Sequence, residues 1–414
     1  MMIRRNLWPL LVGLLLAPAC NTDDDFSPAP EPEVLSCSET PEACAVARSG
    51  NALGLELFRN LHERDPLGNL FISPHSVHTA LSMTLQGASG QTYTDMEATL
   101  HAQDLTETEL REGYSTLLNA LPVLDPDVQL LPANSIWHRD DFLPEDAFLQ
   151  VNQEYFLSEV RALDFSRPEA VDIINGWISD KTEGLIPEML DGIPGNAVMY
   201  LINAIYFKGG WTRPFNPKFT EEQAFRLADG SIVQTPMMNM GETVMPYLAT
   251  EHFEAVDLAY GDSVVSMALL LPREGSSMDE VVAGLTAANW ADWSQQFANS
   301  PLLLQVPKFE MRFKAKLNDP LTDLGMGIAF QGGLADFSRI APGRELRISR
   351  VLHEAVIEVN EEGSEATAAT IVEIVETSVP QIPSMIFNRP FLFVIWEKQG
   401  GTILFAGKLM DPRG

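Results

Sequence analysis

Three short patterns in this chain have residue types and spacings that could do chemistry. His353-Glu354-Ala355-Val356-Ile357 is one residue short of HExxH, in which two histidines hold a zinc ion and the glutamate serves as base; Ile357 stands where the second histidine belongs. Gly261-Asp262-Ser263-Val264-Val265 starts like the turn that exposes a nucleophilic serine, but lacks its final glycine. His75 and His78 stand three apart, a spacing that can bridge a metal, with no acidic partner nearby in the sequence. The seven histidines are otherwise scattered, and no glycine-rich phosphate loop occurs. All three cysteines precede residue 45, so the rest of the chain holds neither a thiol nucleophile nor a cysteine zinc site. The expectation is a protein with no catalytic residues, no metal and no cofactor of its own.

Residues 361–378, EEGSEATAATIVEIVETS, are written for two places at once. From Ser364, every second residue is small or apolar: Ser364, Ala366, Ala368, Thr370, Val372, Ile374. Their neighbours are mixed and carry the charges, and such period-two alternation marks a strand buried on one face. No proline interrupts it between Asn360 and Val379, so each residue there can donate to a ladder. Yet glycine and alanines among acids, followed by the proline-rich run at 379–384, are loop chemistry. An ordinary edge strand with a polar start fits the pattern alone equally well.

The wording Glu361-Glu362-Gly363-Ser364-Glu365-Ala366-Thr367-Ala368-Ala369-Thr370 resembles the hinge of the reactive-centre loop in inhibitory serpins. Other blocks are similar to that family in register from about residue 50 to Pro412. NLFISPHSVHTALSMTLQGASGQT, from Asn69, resembles the segment that sets two hydroxyls beneath the main sheet, here Ser73 and Ser76; Ser73 also reads as a helix cap before a first-turn proline. VMYLINAIYFKGGW, from Val198, is a long apolar strand with one amide, Asn203, which needs partners once buried. In the family that asparagine pairs with a histidine from a neighbouring strand, and His353 stands in the expected place. Trp211 matches the tryptophan at the top of the sheet, where insertion begins. Phe387-Asn388-Arg389-Pro390-Phe391 and Ile403-Leu404-Phe405-Ala406-Gly407-Lys408 resemble the family's carboxy-terminal hairpin.

The resemblance implies an α+β fold with three β-sheets, about eight or nine helices and an exposed reactive-centre loop. It also implies a suicide inhibitor, with Glu361, Gly363, Ser364, Glu365, Ala366, Thr367, Ala368, Ala369 and Thr370 as hinge. A protease cleaves the loop and forms its acyl-enzyme. The freed strand then inserts into the main sheet, and 12–14 residues at ~3.3 Å carry the protease on the order of 40–45 Å. Burying Val372 and Ile374 contributes roughly 1.5–3 kcal/mol each, so the uncleaved fold is expected to be metastable and held by kinetics. The alternative is a non-inhibitory serpin used as a carrier or chaperone. Such members usually carry bulky or charged residues or proline in the hinge, and this chain does not.

In inhibitory serpins the cut commonly follows the fourteenth residue after the hinge glycine, and counting from Gly363 gives Thr377–Ser378. The segment from Gly363 to Pro390 is slightly longer than the family's, which leaves Val375 and Val379 as alternatives. No Lys or Arg lies between Gly363 and Asn388, so a shallow apolar pocket fits, as in elastase-like or subtilisin-like proteases.

Arg4 and Arg5 followed by the apolar run 7–16 read as an export signal over residues 1–19. Ala17-Pro18-Ala19-Cys20 offers an ordinary signal-peptidase cut, and also resembles a bacterial lipobox that would make Cys20 the lipidated first residue. Residues 20–49, rich in Asp, Glu, Pro and Ser, read as a flexible tether, and residues 50–414 as one domain. Cys37 and Cys44 are then a disulfide pair in an exported compartment, or two free thiols. With 57 acids against 27 bases the net charge is −30, which disfavours nucleic acid, heparin and anionic membrane. The expected partner is a target protease, met by a monomer at the cell envelope or outside the cell and touching membrane only through lipid on Cys20.

Overall fold

The structure is a computed structural model that describes residues 35–364 and 383–414. Its first half runs α1 (Pro41–Arg64), β1 (Leu70–Ile72), α2 (Pro74–Leu85), α3 (Gly90–Thr99), α4 (Glu107–Ala120), β2 (Val128–Arg139), α5 (Asp146–Tyr155), β3 (Glu159–Leu163), α6 (Glu169–Lys181) and β4 (Met199–Gly210). The second half runs β5 (Glu221–Arg226), β6 (Ile232–Ala249), β7 (Phe253–Ala259), β8 (Val265–Pro272), α7 (Met278–Gly284), α8 (Ala287–Ser294), β9 (Ala298–Pro307), β10 (Phe309–Lys316) and α9 (Asn318–Leu321). It closes with β11 (Leu352–Val359), β12 (Gly363–Ser364), β13 (Ser384–Ile386), β14 (Phe391–Glu397) and β15 (Ile403–Leu409).

Among the described residues the strands form three hydrogen-bonded sheets. The largest has the order β1-β15-β14-β8-β7-β6-β9-β13, with β5 on β6. The second is β12-β4-β2-β3 and the third is the pair β10-β11. Every residue of β8, β14 and β15 is buried, so these strands read as continuous apolar runs rather than alternating ones. The exception in β15 is Lys408, whose ammonium donates to His62 Nδ1 at 2.9 Å and to the carbonyls of Asp65 and Pro66 at 2.9 and 3.0 Å. Burial pulls this lysine down to about 8, and its three hydrogen bonds tie the hairpin to the end of α1.

Helix α1 starts earlier than the sequence suggested. The tether was expected to reach residue 49, but the helix begins at Pro41 and buries Ala43, Cys44, Val46 and Ala47. Proline in the first turn needs no N–H partner. The small apolar residues that follow supply a stripe the charged residues around them had masked. Leu35 is also buried, its N–H donating to Gln399 Oε1 at 3.2 Å. Cys37 and Cys44 are joined by a disulfide across the turn that leads into this helix, with Cα atoms 5.5 Å apart.

Candidate functional site

The near-miss metal and nucleophile patterns dissolve first. His353 and Glu354 are adjacent on β11, so they point to opposite faces. His353 Nε2 accepts from Ser73 N at 3.1 Å inside the core, whereas Glu354 faces Arg312 and Lys314 on β10 at 3.5 and 3.8 Å. Burial raises the Glu354 carboxyl, and the two cations only partly offset it. Ser263 lies in the β7–β8 turn at φ 74°, with its hydroxyl 3.4 Å from that of Thr212. His78 donates from Nε2 to the Leu100 carbonyl at 3.0 Å, leaving Nδ1 to accept from Tyr114. Burial lowers His75 to about 3 and His78 to about 4, so both are neutral near pH 7.

What the fold does bring together is a slot. β4 is paired along its length with β2, and β11 with β10. Between the facing edges of β4 and β11 no ladder runs among the described residues, except that β12 takes the first two positions. Gly363 pairs with Gly210 and Ser364 with Gly209, antiparallel. Below them lie a small gap walled by Phe207, Val356 and Ser364, and a cavity of about 390 Å³ reached by Ile202, Asn203, Leu352 and His353. An extended chain of about ten residues at ~3.3 Å each would fill the slot and satisfy both edges.

The top of the slot is built around Trp211. Its ring N–H donates to the Asn360 carbonyl at 3.0 Å, and its backbone N–H to that of Glu362 at 2.8 Å. The indole stacks on Tyr260 with centroids 4.3 Å apart, and the Tyr260 hydroxyl lies 2.9 Å from Ser364 Oγ. Burial drives the Tyr260 phenol well above its usual range, so it stays neutral and able to donate. Glu361 is 8% exposed; its carboxylate accepts from Thr220 Oγ1 at 2.7 Å and pairs with Lys308 at 2.8 Å. Burial pushes that carboxyl up, but the bonds from Lys308 and Thr220 outweigh it and hold the group below its usual range. Gly363 sits at φ +150°, and a Cβ there would lie 2.1 Å from the Gly209 carbonyl oxygen. Only glycine lets the hinge approach β4 this closely.

The floor is the amino-terminal turn of α2. Ser73 Oγ caps the helix by accepting from Ser76 N at 3.1 Å. Ser76 Oγ donates to Asn203 Oδ1, Asn203 Nδ2 donates to Asn134 Oδ1 at 2.7 Å, and Asn134 Nδ2 to the Phe156 carbonyl at 2.6 Å. The expected direct bond between Asn203 and His353 is replaced. Their strands stand apart, and each satisfies its polar group on α2 instead, Asn203 through Ser76 and His353 through Ser73. Burial lowers His353 to about 4, which keeps Nε2 free to accept at neutral pH.

Sequence reasoning placed Ser73, Ser76, Asn203, Trp211, His353, Glu361, Gly363 and Ser364, and all of them line this slot or its ends. It missed Asn134, Thr220, Tyr260 and Lys308. Lys308 carried a signal: it is a lone cation between the apolar ends of β9 and β10. Tyr260 carried none, because nothing local says what a tyrosine after a strand will stack on. The hinge positions Glu365, Ala366, Thr367, Ala368, Ala369 and Thr370, the bond Thr377–Ser378, and Cys20 lie outside the described residues.

Residues 48–412 match the family model of the serpins, described as serine protease inhibitors. A leukocyte elastase inhibitor from Sus scrofa is 33% identical over 381 residues, covering 89% of this chain and 99% of that one. A serpin-like protein of Thermococcus kodakarensis is 31% identical, covering 89% of this chain and 86% of the relative. The native-state crystal structure of tengpin, a thermophilic serpin, superposes with a TM-score of 0.81 at 31% identity, over 88% of this chain and 94% of that one. The chain therefore belongs to the serpin family and has its α+β fold. The family is one of protease inhibitors rather than enzymes, and its inhibitory members act through covalent complexes with target proteases.

Proposed function

We propose that this serpin is an inhibitor acting as a suicide substrate, with the slot between β4 and β11 receiving its loop after cleavage. The observation that carries this reading is the hinge itself. Gly363 and Ser364 are already paired with β4 at the head of a slot across which no β4–β11 ladder runs among the described residues, so insertion need only propagate a register that exists. The small alternate residues Ala366, Ala368 and Thr370 suit passage over the buried face. The similarity to an elastase inhibitor agrees with a loop that lacks Lys and Arg. We assign the cut to Thr377–Ser378 and the target to an elastase-like or subtilisin-like serine protease.

The test is incubation with such proteases, followed by denaturing gels and mass spectrometry of the released carboxy-terminal peptide. A covalent band and a fragment beginning at Ser378 are expected. A fragment beginning at Glu376 or Pro380 would move the register. Clean cleavage with no covalent band by any of them would favour the non-inhibitory carrier, and efficient trapping of trypsin would contradict the specificity assignment.

The amino terminus extends the proposal to location: export with residues 1–19 removed and lipid on Cys20, which holds the inhibitor at the cell envelope. Cys20→Ser is expected to move the protein from the membrane fraction to the soluble one. Wild-type protein found wholly soluble after export would refute the anchor.

A further inference from the structure

A cavity of about 670 Å³ lies far along the chain from the slot's floor, between β5, the turn after β8 and residues 388–390, which join β13 to β14. Its size is that of a small-molecule site. Arg226, Arg273 and Arg389 all line it, in a chain of net charge −30. Arg389 Nη2 donates to the Pro272 carbonyl at 2.7 Å. Arg273 lies 3.5 Å from Glu254, itself shared with Tyr247, and its buried Nε has no partner among the described residues. The Arg226 side chain makes no ion pair among the described residues. One acid, Glu274, stands on the wall. Burial pulls the Arg389 guanidinium below its usual range; Glu274 and Glu254 oppose this, and Arg226 adds to it by repulsion. Ile232, which is 62% exposed, Met278 and Met410 supply apolar wall, and Ser276 and Asn388 add polar groups.

We propose that this cavity binds a small amphiphilic anion, with a carboxylate or phosphate head held by the three arginines and an apolar stem against Ile232, Met278 and Met410. A guanidinium fork matches a planar or tetrahedral oxyanion with two parallel hydrogen bonds. The anion relieves repulsion among like charges that the protein itself balances incompletely. A polyanion is excluded, because the surrounding field of the acidic chain repels it. The stem adds binding through apolar burial. The occupied site would also fasten β5 to the loop's exit, since Arg226 N already donates to the Asn388 carbonyl at 2.8 Å.

The test is calorimetric titration of the intact full chain with octanoate, octyl phosphate, octanol and inorganic phosphate. Saturable 1:1 binding of octanoate or octyl phosphate is expected, about tenfold or more tighter than octanol or inorganic phosphate. Which of the two amphiphiles binds tighter identifies the head group. Arg226→Gln and Arg273→Gln are each expected to weaken the tighter amphiphile about tenfold or more, and Ile232→Asp to do the same from the apolar side. Unliganded melting temperatures report whether each variant folds, and Arg226 and Ile232 are exposed positions whose replacement leaves the core intact. The proposal is overturned if neither amphiphile saturates, if octanol or inorganic phosphate binds as tightly as the amphiphiles, or if folded Arg226→Gln and Ile232→Asp bind with wild-type affinity.

Discussion

Nicking the chain once between residues 372 and 379 is expected to raise its melting temperature by on the order of 15 °C, measured by calorimetry on intact and nicked protein. The slot between β4 and β11 leaves two strand edges without a ladder partner among the described residues below Ser364. About a dozen inserted residues gain ladder hydrogen bonds at ~1 kcal/mol net each. A domain of this size unfolds with about 2 cal/mol/K of entropy per residue, which converts that gain into the stated shift. Before the cut, the loop is tethered at both ends, to β12 and to β13, whose Ser384 pairs with Leu303 on β9. Cleavage removes the second tether and lets the first propagate. Equal melting temperatures for the two forms would mean that the slot is not filled.

Ser364→Arg is expected to turn the inhibitor into a substrate. Ser364 is 2% exposed, with its hydroxyl on Tyr260 and its backbone paired to Gly209. A guanidinium at that depth faces the neutral phenol of Tyr260 and a small gap whose walls are mostly apolar, among them Phe71, Phe207, Val356, Ile395 and Phe405. An uncompensated buried charge costs about 3 kcal/mol, which slows insertion about 100-fold if the charge must pass or stay there. Deacylation then overtakes insertion, so the protease is released active and the loop is consumed. The measurement is the stoichiometry of inhibition, with the cleavage rate as control. Wild-type stoichiometry in a variant that is still cleaved would remove Ser364 from the hinge.

Much of this was legible in the residues, for identifiable reasons. The alternation from Ser364 and the apolar run around Asn203 are local patterns, and local patterns report strand and face. The HExxH near-miss resolves by the same rule: on a strand, His353 and Glu354 part company, whereas the pattern is chemical only on a helix. What was not legible is set by distant backbone. Gly363 read as loop chemistry within the hinge, and its requirement is steric, because the Gly209 carbonyl occupies the place of a side chain. The partner of Asn203 depended on how far β4 and β11 stand apart, which no single strand encodes. The start of α1 at Pro41 was hidden by composition, since an acidic, proline-bearing stretch reads as tether until the buried faces of Ala43, Cys44, Val46 and Ala47 are seen.

The central claim is that the cleaved loop becomes a strand between β4 and β11. Amide hydrogen exchange along residues 199–208 and 352–359, compared between intact and nicked protein, tests it most directly. The account predicts that amides on the facing edges of both strands, which have no β4–β11 ladder among the described residues of the intact protein, exchange markedly more slowly after the cut. Unchanged exchange on β4 and β11 in fully nicked protein would contradict it.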